Sequence, residues 1–224
     1  MATVIIQART SSKRFPNKVL KKLFDRQILY FLYLRLKKSK IIKKIIVSTS
    51  NLKVDKKIIK ICRKNKILFF KGSHKNVVSR LYLTAKKFNL NFFVRINADS
   101  PVLDMSLVNK GIKIYKSKKV DLVTNVFPRS YPKGQSVEVI RTSALKKILK
   151  KSLEQDDKEH VTRYIYKNPK KFKIINFKNK INKSNINLSI DKKQDLVNMK
   201  KRLKKYKNNL INMKVKQLIQ VYEK

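Results

Sequence analysis

Short β-branched runs alternate with stretches of helical periodicity along most of this chain. Residues 3–7 (TVIIQ) predict a strand and the polar stretch 8–18 (ARTSSKRFPNK) a loop, after which helical spacing takes over near Gln27. The pattern repeats: strand over 43–48, helix over 54–64, strand over 67–70, helix over 77–88 and strand over 91–96. A helix then runs from Asp104 through Tyr115, followed by a strand over 121–124, an ordered loop over 127–134 (FPRSYPKG) and an alternating strand over 136–140 (SVEVI). Helices over 158–166 and 194–206 flank a last strand over 186–190 (INLSI). Strands alternating with helices of roughly ten residues imply βαβ crossovers and a mostly parallel sheet covered on both faces. The expected class is therefore α/β, with no linker, internal repeat or second domain along the chain.

Composition narrows this further. A 224-residue chain that is 42% hydrophobic can bury a substantial core. One Cys and two His cannot build a disulfide or a structural zinc site. Cys62, on a predicted helix among Ile58, Ile59 and Ile61, reads as a buried inert thiol in a reducing compartment. No apolar run approaches the roughly 18 residues needed to span a bilayer, and no leader pattern opens the chain, so a soluble, unprocessed, cytoplasmic protein is expected. The formal charge of +45 invites a nucleic-acid reading. However, Lys exceeds Arg about fourfold, and Lys, Ile and Asn, all with AT-rich codons, are spread along the whole chain. With no binding motif and no aromatic-rich basic strand, no specific nucleic-acid partner is expected.

Ligands of open parallel sheets bind beyond the carboxyl ends of the strands, and two loops there are chemically loaded. The loop after the first strand carries Arg9, Lys13, Arg14 and Lys18 with the hydroxyls of Thr10, Ser11 and Ser12, the composition of a polyphosphate cradle without the glycines of a P-loop. The second, Asn97-Ala98-Asp99-Ser100-Pro101, offers an acid in a chain that has few, suited either to Mg²⁺ or to a cap before Pro101. Asp191 ends its predicted strand in the same way, as a cap or a metal ligand.

At these residues the chain resembles the cytidylyltransferase family that includes the spore-coat polysaccharide biosynthesis protein F group. More distantly it is similar to the enzymes that make CMP-activated 3-deoxy-manno-octulosonate and sialic acids. VIIQARTSSKRFPNKVL resembles the family's Ala-Arg-x-x-Ser-x-Arg-x-Pro-x-Lys loop, and NADSPVLD its Asp-x-Pro-Leu-x-Asp segment. PRSYPKGQSVEVI, KEHVTRYIY and LSIDKKQDL follow in the family's order, so the likeness covers about residues 1–205. It implies one nucleotide-diphospho-sugar transferase αβα sandwich over residues 1–224, with 206–224 a basic helix or tail. The implied reaction is Mg²⁺-dependent transfer of CMP from CTP to a sugar or sugar acid. The resemblance also implies that Arg9, Arg14 and Lys18 hold the triphosphate, with the backbone around Ala8 near the base, Ser12 on the nucleotide and Arg80 helping to place it. Asp99 and Asp191 match the metal-binding carboxylates, and Asp104 caps or supports their loop. Tyr131, Lys133, Gln135 and Glu138 fall where the acceptor would lie, or simply form a structural loop and strand; Glu159 and His160 are candidates to orient a substrate group, with a structural role for His160 as the alternative, and family members often form homodimers.

This chain departs from the pattern at Asn17 and Ala98, which replace Gly, at Lys192-Lys193-Gln194, which replaces Thr-Pro-Glu, and at Ser136, where relatives tend to have an acid. Two alternatives stay open at this stage. A glycosyltransferase of the same fold would normally carry Asp-x-Asp where this chain has NADSP, and a noncatalytic polyanion binder is favoured by charge alone.

Overall fold

The computed structural model describes residues 1–223. Its strands and helices, in chain order, begin with β1 (Ala2–Gln7), a short hairpin of β2 (Lys22–Leu23) and β3 (Arg26–Gln27), α1 (Ile28–Lys37), β4 (Ile42–Ser50), α2 (Lys56–Lys64) and β5 (Leu68–Gly72). They continue with α3 (Val77–Lys87), β6 (Phe92–Asn97), α4 (Met105–Ser117), β7 (Leu122–Thr124), β8 (Glu138–Arg141) and α5 (Thr142–Leu149). The chain then forms α6 (Gln155–Glu159), α7 (Arg163–Lys167), β9 (Ile174–Asn176), α8 (Lys193–Leu203) and α9 (Val215–Glu223). Seven strands make one sheet in the order β5-β4-β1-β6-β8-β7-β9. Only β8 runs against its neighbours, pairing antiparallel with β6 and β7, while β1 pairs parallel with β4 and β6 and β7 parallel with β9.

Alternation along β1 divides the core between the two faces of the sheet. Val4 and Ile6 join one apolar cluster with Leu29, Leu32, Ile58 and Val108 of α1, α2 and α4. Ile5 joins another with Val78, Leu81, Leu145 and Ile165 of α3, α5 and α7. This is the expected α/β sandwich. A third cluster joins Ile28 and Phe31 of α1 to Leu196 and Met199 of α8 and to Leu210, Met213, Leu218 and Ile219, so the basic C-terminal segment is docked by its apolar positions. No helix among the described residues is long and apolar enough to cross a membrane.

Several predicted elements differ. The helix expected over 158–166 is two short helices broken at His160, because Thr162 turns inward to donate its hydroxyl to the buried Glu138 carboxylate at 2.6 Å. Residues 186–190 alternate as expected but lie outside the sheet. They bond to Lys133 and Asp99 instead (Leu188 N to Lys133 O 2.8 Å, Ile190 N to Asp99 O 2.9 Å), with Ile186, Leu188 and Ile190 buried toward α1 and α8. β8 starts at Glu138, since Asn125 bonds Gln135 O and Val137 N, each at 2.8 Å, before the ladder begins. Neither α5 nor β9 was expected from the pattern. Gly134, in the predicted loop, has φ +84°, and a Cβ there would lie 2.5 Å from the Leu188 carbonyl, so the loop can approach residues 186–190 only with Gly at this point.

Candidate active site

The carboxyl ends of β1 and β6 open into a cavity of about 560 Å³ lined by Arg9, Ser11, Ser12, Lys13, Arg14, Lys18, His74, Asp99, Glu159 and Asp191 among others. Asn17 has the left-handed backbone (φ 57°) that its small polar side chain tolerates, and this turn delivers Lys18 into the cavity. The Lys18 ammonium donates to Asp99 Oδ2 at 2.7 Å and to Asp191 Oδ1 at 3.0 Å. Arg14 Nη2 lies 3.4 Å from the same Asp191 oxygen. Burial opposes the charge on Lys18, but the two carboxylates outweigh it and raise its pKa. Burial likewise opposes the Asp191 carboxylate, and Lys18, Arg14 and Ser189 overcome it to hold that carboxyl below its usual range. Asp191 is not a helix cap, because Asp195 accepts from the backbone N–H groups of Asp191 (2.8 Å) and Lys192 (2.7 Å) where α8 begins. Asp104 does cap α4, accepting from Ser106 N at 2.7 Å, and also from Val215 N at 2.7 Å. Ala98 is not among the residues with positive φ, so the absent glycine is not required there. Lys192 and Lys193 are exposed.

A second cavity, about 540 Å³, lies beside the first and shares Arg95, Asn97 and His160 with it. Val126, Arg129, Ser136, Glu138, Arg163 and Tyr166 are among the other residues of its wall. Arg95 is the partition. Its guanidinium donates to Gln7 Oε1 at 2.9 Å, to Asn97 Oδ1 at 3.2 Å and to Glu138. Burial disfavours the Glu138 carboxylate, yet Arg95 and the hydroxyls of Thr162 and Tyr166 (2.6 and 2.7 Å) hold its pKa below the normal range. In the same wall Arg163 donates to Asp157 at 2.9 Å, whereas Arg129 donates to the neutral Ser136 hydroxyl at 3.0 Å, and burial lowers the Arg129 pKa.

Two cavities meeting at the carboxyl ends of parallel strands, one walled by a basic loop and two carboxylates, suit a polyphosphate substrate and a neighbouring second substrate. A sequence profile described as cytidylyltransferase matches residues 3–223. The chain belongs to the cytidylyltransferase family. It is 38% identical over 222 residues to an uncharacterised protein of Methanocaldococcus jannaschii, covering 98% of this chain and 89% of that protein. It is 27% identical over 203 residues to the spore coat polysaccharide biosynthesis protein SpsF of Bacillus subtilis, with 88% and 83% covered. Its fold is similar to the solved structure of a cytidylyltransferase from Leptospira borgpetersenii, with TM-score 0.84, 27% identity and 95% and 98% of the two chains covered.

Within this family fold, the candidate residues divide. Arg9, Ser12, Arg14, Lys18, Asp99, Asp191 and His160 converge on the first cavity, and Glu138 and His160 line the second. Arg9 is paired with Glu159, and that pairing lowers the Glu159 pKa. The Ala8 methyl is buried and its N–H bonds Ser48 O at 3.0 Å, while its neighbours Gln7 and Arg9 line the first cavity. Three expectations require correction. Arg80 is fully buried, beneath the cavity and not in its wall, donating to Ser73 O. Its Nε and Nη2 lack partners among the described residues, and burial, with Arg9 nearby, lowers its pKa to about 10. Tyr131 packs edge-on against Phe177 with its hydroxyl on Lys178 O (3.3 Å), away from the second cavity. Gln135 is fully buried, bridging Asp104 N (2.8 Å) and Val102 O (3.0 Å). Both ends of its amide are engaged by the segment 102–104. Thr10 also turns away from the cavity, giving its N–H and hydroxyl to Asp55. Cys62 is buried as expected, and burial pushes its thiol up to about 12.

Sequence reasoning missed Arg95, Asn97, His74 and Asp55. Arg95 was the most visible, a lone cation inside the otherwise apolar strand FFVRIN. The Glu138 arrangement has a measurable consequence. With its pKa lowered from 4.5 in the folded protein, Glu138 binds fewer protons there than in the unfolded chain. Its contribution to stability is therefore present above 4.5 and lost as pH falls through the folded-state pKa. Glu138→Gln is expected to flatten this part of the acid limb of urea midpoint against pH. An unchanged acid limb would contradict the assignment.

Proposed function

We propose that this chain transfers CMP from CTP to a sugar or sugar acid, releasing pyrophosphate, in the biosynthesis of a surface polysaccharide or glycan. The observation that carries the reading is the convergence of Arg9, Arg14, Lys18, Asp99 and Asp191 on one cavity that adjoins a second, differently lined one. CTP is placed in the first cavity and the acceptor in the second, with the whole chain acting as one unit in the cytoplasm, where CTP is made.

The donor set fits Mg²⁺. Asp99 and Asp191 already share one cation, the Lys18 ammonium, through hard oxygen ligands, and Mg²⁺ is typically held by one or two carboxylates with phosphate and water oxygens completing the shell. Bound there, Mg²⁺ would supply charge neutralisation at the phosphates. The chain's own groups do the rest. Arg9, Arg14 and Lys18 hold the triphosphate, and Ser12 donates to it. Arg95, fixed by Glu138, Gln7 and Asn97, keeps the partition between the cavities in place, so the acceptor hydroxyl meets the α-phosphate in line. Lys18 and the arginines stabilise charge as it develops on the departing pyrophosphate. His160, at the helix break and in both cavities, orients the acceptor.

Calorimetric titration with CTP, UTP, ATP and GTP in the presence of Mg²⁺ tests the nucleotide assignment. CTP is expected to bind most tightly. Equal binding of all four, or tight salt-steep binding of any nucleic acid with no nucleotide preference, would support the polyanion reading instead.

A further inference from the structure

Asp55 ends the 3₁₀ turn Lys53–Asp55 that follows β4, and it is fully buried. A buried carboxylate is costly unless it is bonded, and the bonds of this one go to a particular place. Oδ1 accepts from the Thr10 N–H at 2.7 Å and from the Thr10 hydroxyl at 2.6 Å, and Oδ2 accepts from the Ser50 hydroxyl. Thr10 in turn organises the loop that follows β1. Its carbonyl accepts from Ser12 N and from Asn17 N, each at 2.9 Å, and Asn17 is the left-handed residue that delivers Lys18 to Asp99 and Asp191. One carboxylate outside the cavity thus fixes, through a single threonine, the course of the segment that carries Arg9, Ser12, Arg14 and Lys18.

We propose that Asp55 is a positioning residue for nucleotide binding, setting the geometry of the basic loop without touching the nucleotide. The proposal rests on the reading that this loop holds CTP. Preorganised donors bind a charged group without the cost of ordering them at the moment of binding. Releasing Thr10 lets the loop sample other arrangements, and that loss falls on CTP affinity.

The test is the dissociation constant for CTP with Mg²⁺, read calorimetrically together with melting temperature, in Asp55→Ala, Asp55→Asn, Thr10→Val and Ser50→Ala. Asp55→Ala is expected to weaken CTP binding about tenfold at full stoichiometry, the size of a lost buried hydrogen-bond pair. Asp55→Asn keeps an oxygen for Thr10 and an amide for Ser50, and is expected to stay within about threefold of the parent. A merely structural role predicts the opposite pattern: a lower melting temperature and a lower stoichiometry, with the parent's dissociation constant for the molecules that remain folded. That pattern overturns the proposal. If Asp55→Ala does not fold, Thr10→Val and Ser50→Ala decide. The first should weaken CTP binding and the second should not, and equal dissociation constants for the two overturn the proposal. CTP bound equally by the parent and Asp55→Ala refutes the positioning role alone, whereas a parent that does not bind CTP refutes the underlying reading and the proposal with it.

Discussion

Asp99→Asn is expected to lower acceptor-dependent pyrophosphate release by about a thousandfold while leaving the fold intact. The fold survives because, among the described residues, the Asp99 carboxylate bonds only Lys18 (2.7 Å) and the adjacent Ser100 hydroxyl (3.3 Å), while its backbone carbonyl still accepts from Ile190 N. On the proposed reading, turnover falls because the neutral amide removes one of the two carboxylates that would hold Mg²⁺. It also leaves Lys18 leaning toward Asp191 alone. Circular dichroism and the urea midpoint should match the parent, and steady-state kinetics should show the loss in kcat more than in KM for the acceptor. Retention of more than about a tenth of the parent's turnover would remove Asp99 from the metal and phosphate machinery.

The largest expected effect on stability lies outside the cavities, at Arg35. This residue of α1 is 1% exposed, and its guanidinium donates to four backbone carbonyls: Leu103 (3.0 Å), Val102 (3.4 Å), Met213 (2.8 Å) and Leu210. Burial lowers its pKa to about 10, with Asp104 partly offsetting the effect. The first two carbonyls belong to the segment that leaves Asp99, and the other two to the turn before α9. Arg35→Met preserves most of the volume but abandons four buried acceptors, so a loss of about 3–5 kcal/mol is expected from urea unfolding. Protease nicking should move to residues 204–214 as α9 loosens. A loss under about 0.5 kcal/mol would mean that water or the backbone replaces the guanidinium without strain.

How much of this was legible follows from what each residue reports locally. The β-branched runs and helical spacings are local, and they located β1, β4, β6, α2, α3 and α4 to within a few residues. Residues 186–190 show the limit of that logic. Their alternation correctly marks one buried face, but alternation says nothing about whether hydrogen bonds go to a sheet or to Lys133 and Asp99. The break at His160 depends on Glu138, a partner about twenty residues away, and no local spacing reveals it. In the site, scarcity made Asp99 and Asp191 conspicuous, because acids are few in this chain. Asp55 was equally rare but was absorbed into the start of a predicted helix. Tyr131 and Gln135 illustrate the reverse error: a polar, Pro- and Gly-bearing loop looks like a substrate loop, whereas here its polar groups satisfy the backbone of Asp104, Val102 and Lys178. Resemblance located the segment, and only packing could say which side chains face the cavity.

The measurement that bears most directly on the central claim is pyrophosphate release by the intact chain with Mg²⁺, comparing CTP, UTP, ATP and GTP against a panel of neutral and acidic sugars. Release that requires both CTP and an acceptor, and that disappears in Asp99→Asn, is the predicted result. Release with another nucleotide in preference to CTP would contradict the account, as would transfer of a sugar from a nucleotide sugar in place of formation of one.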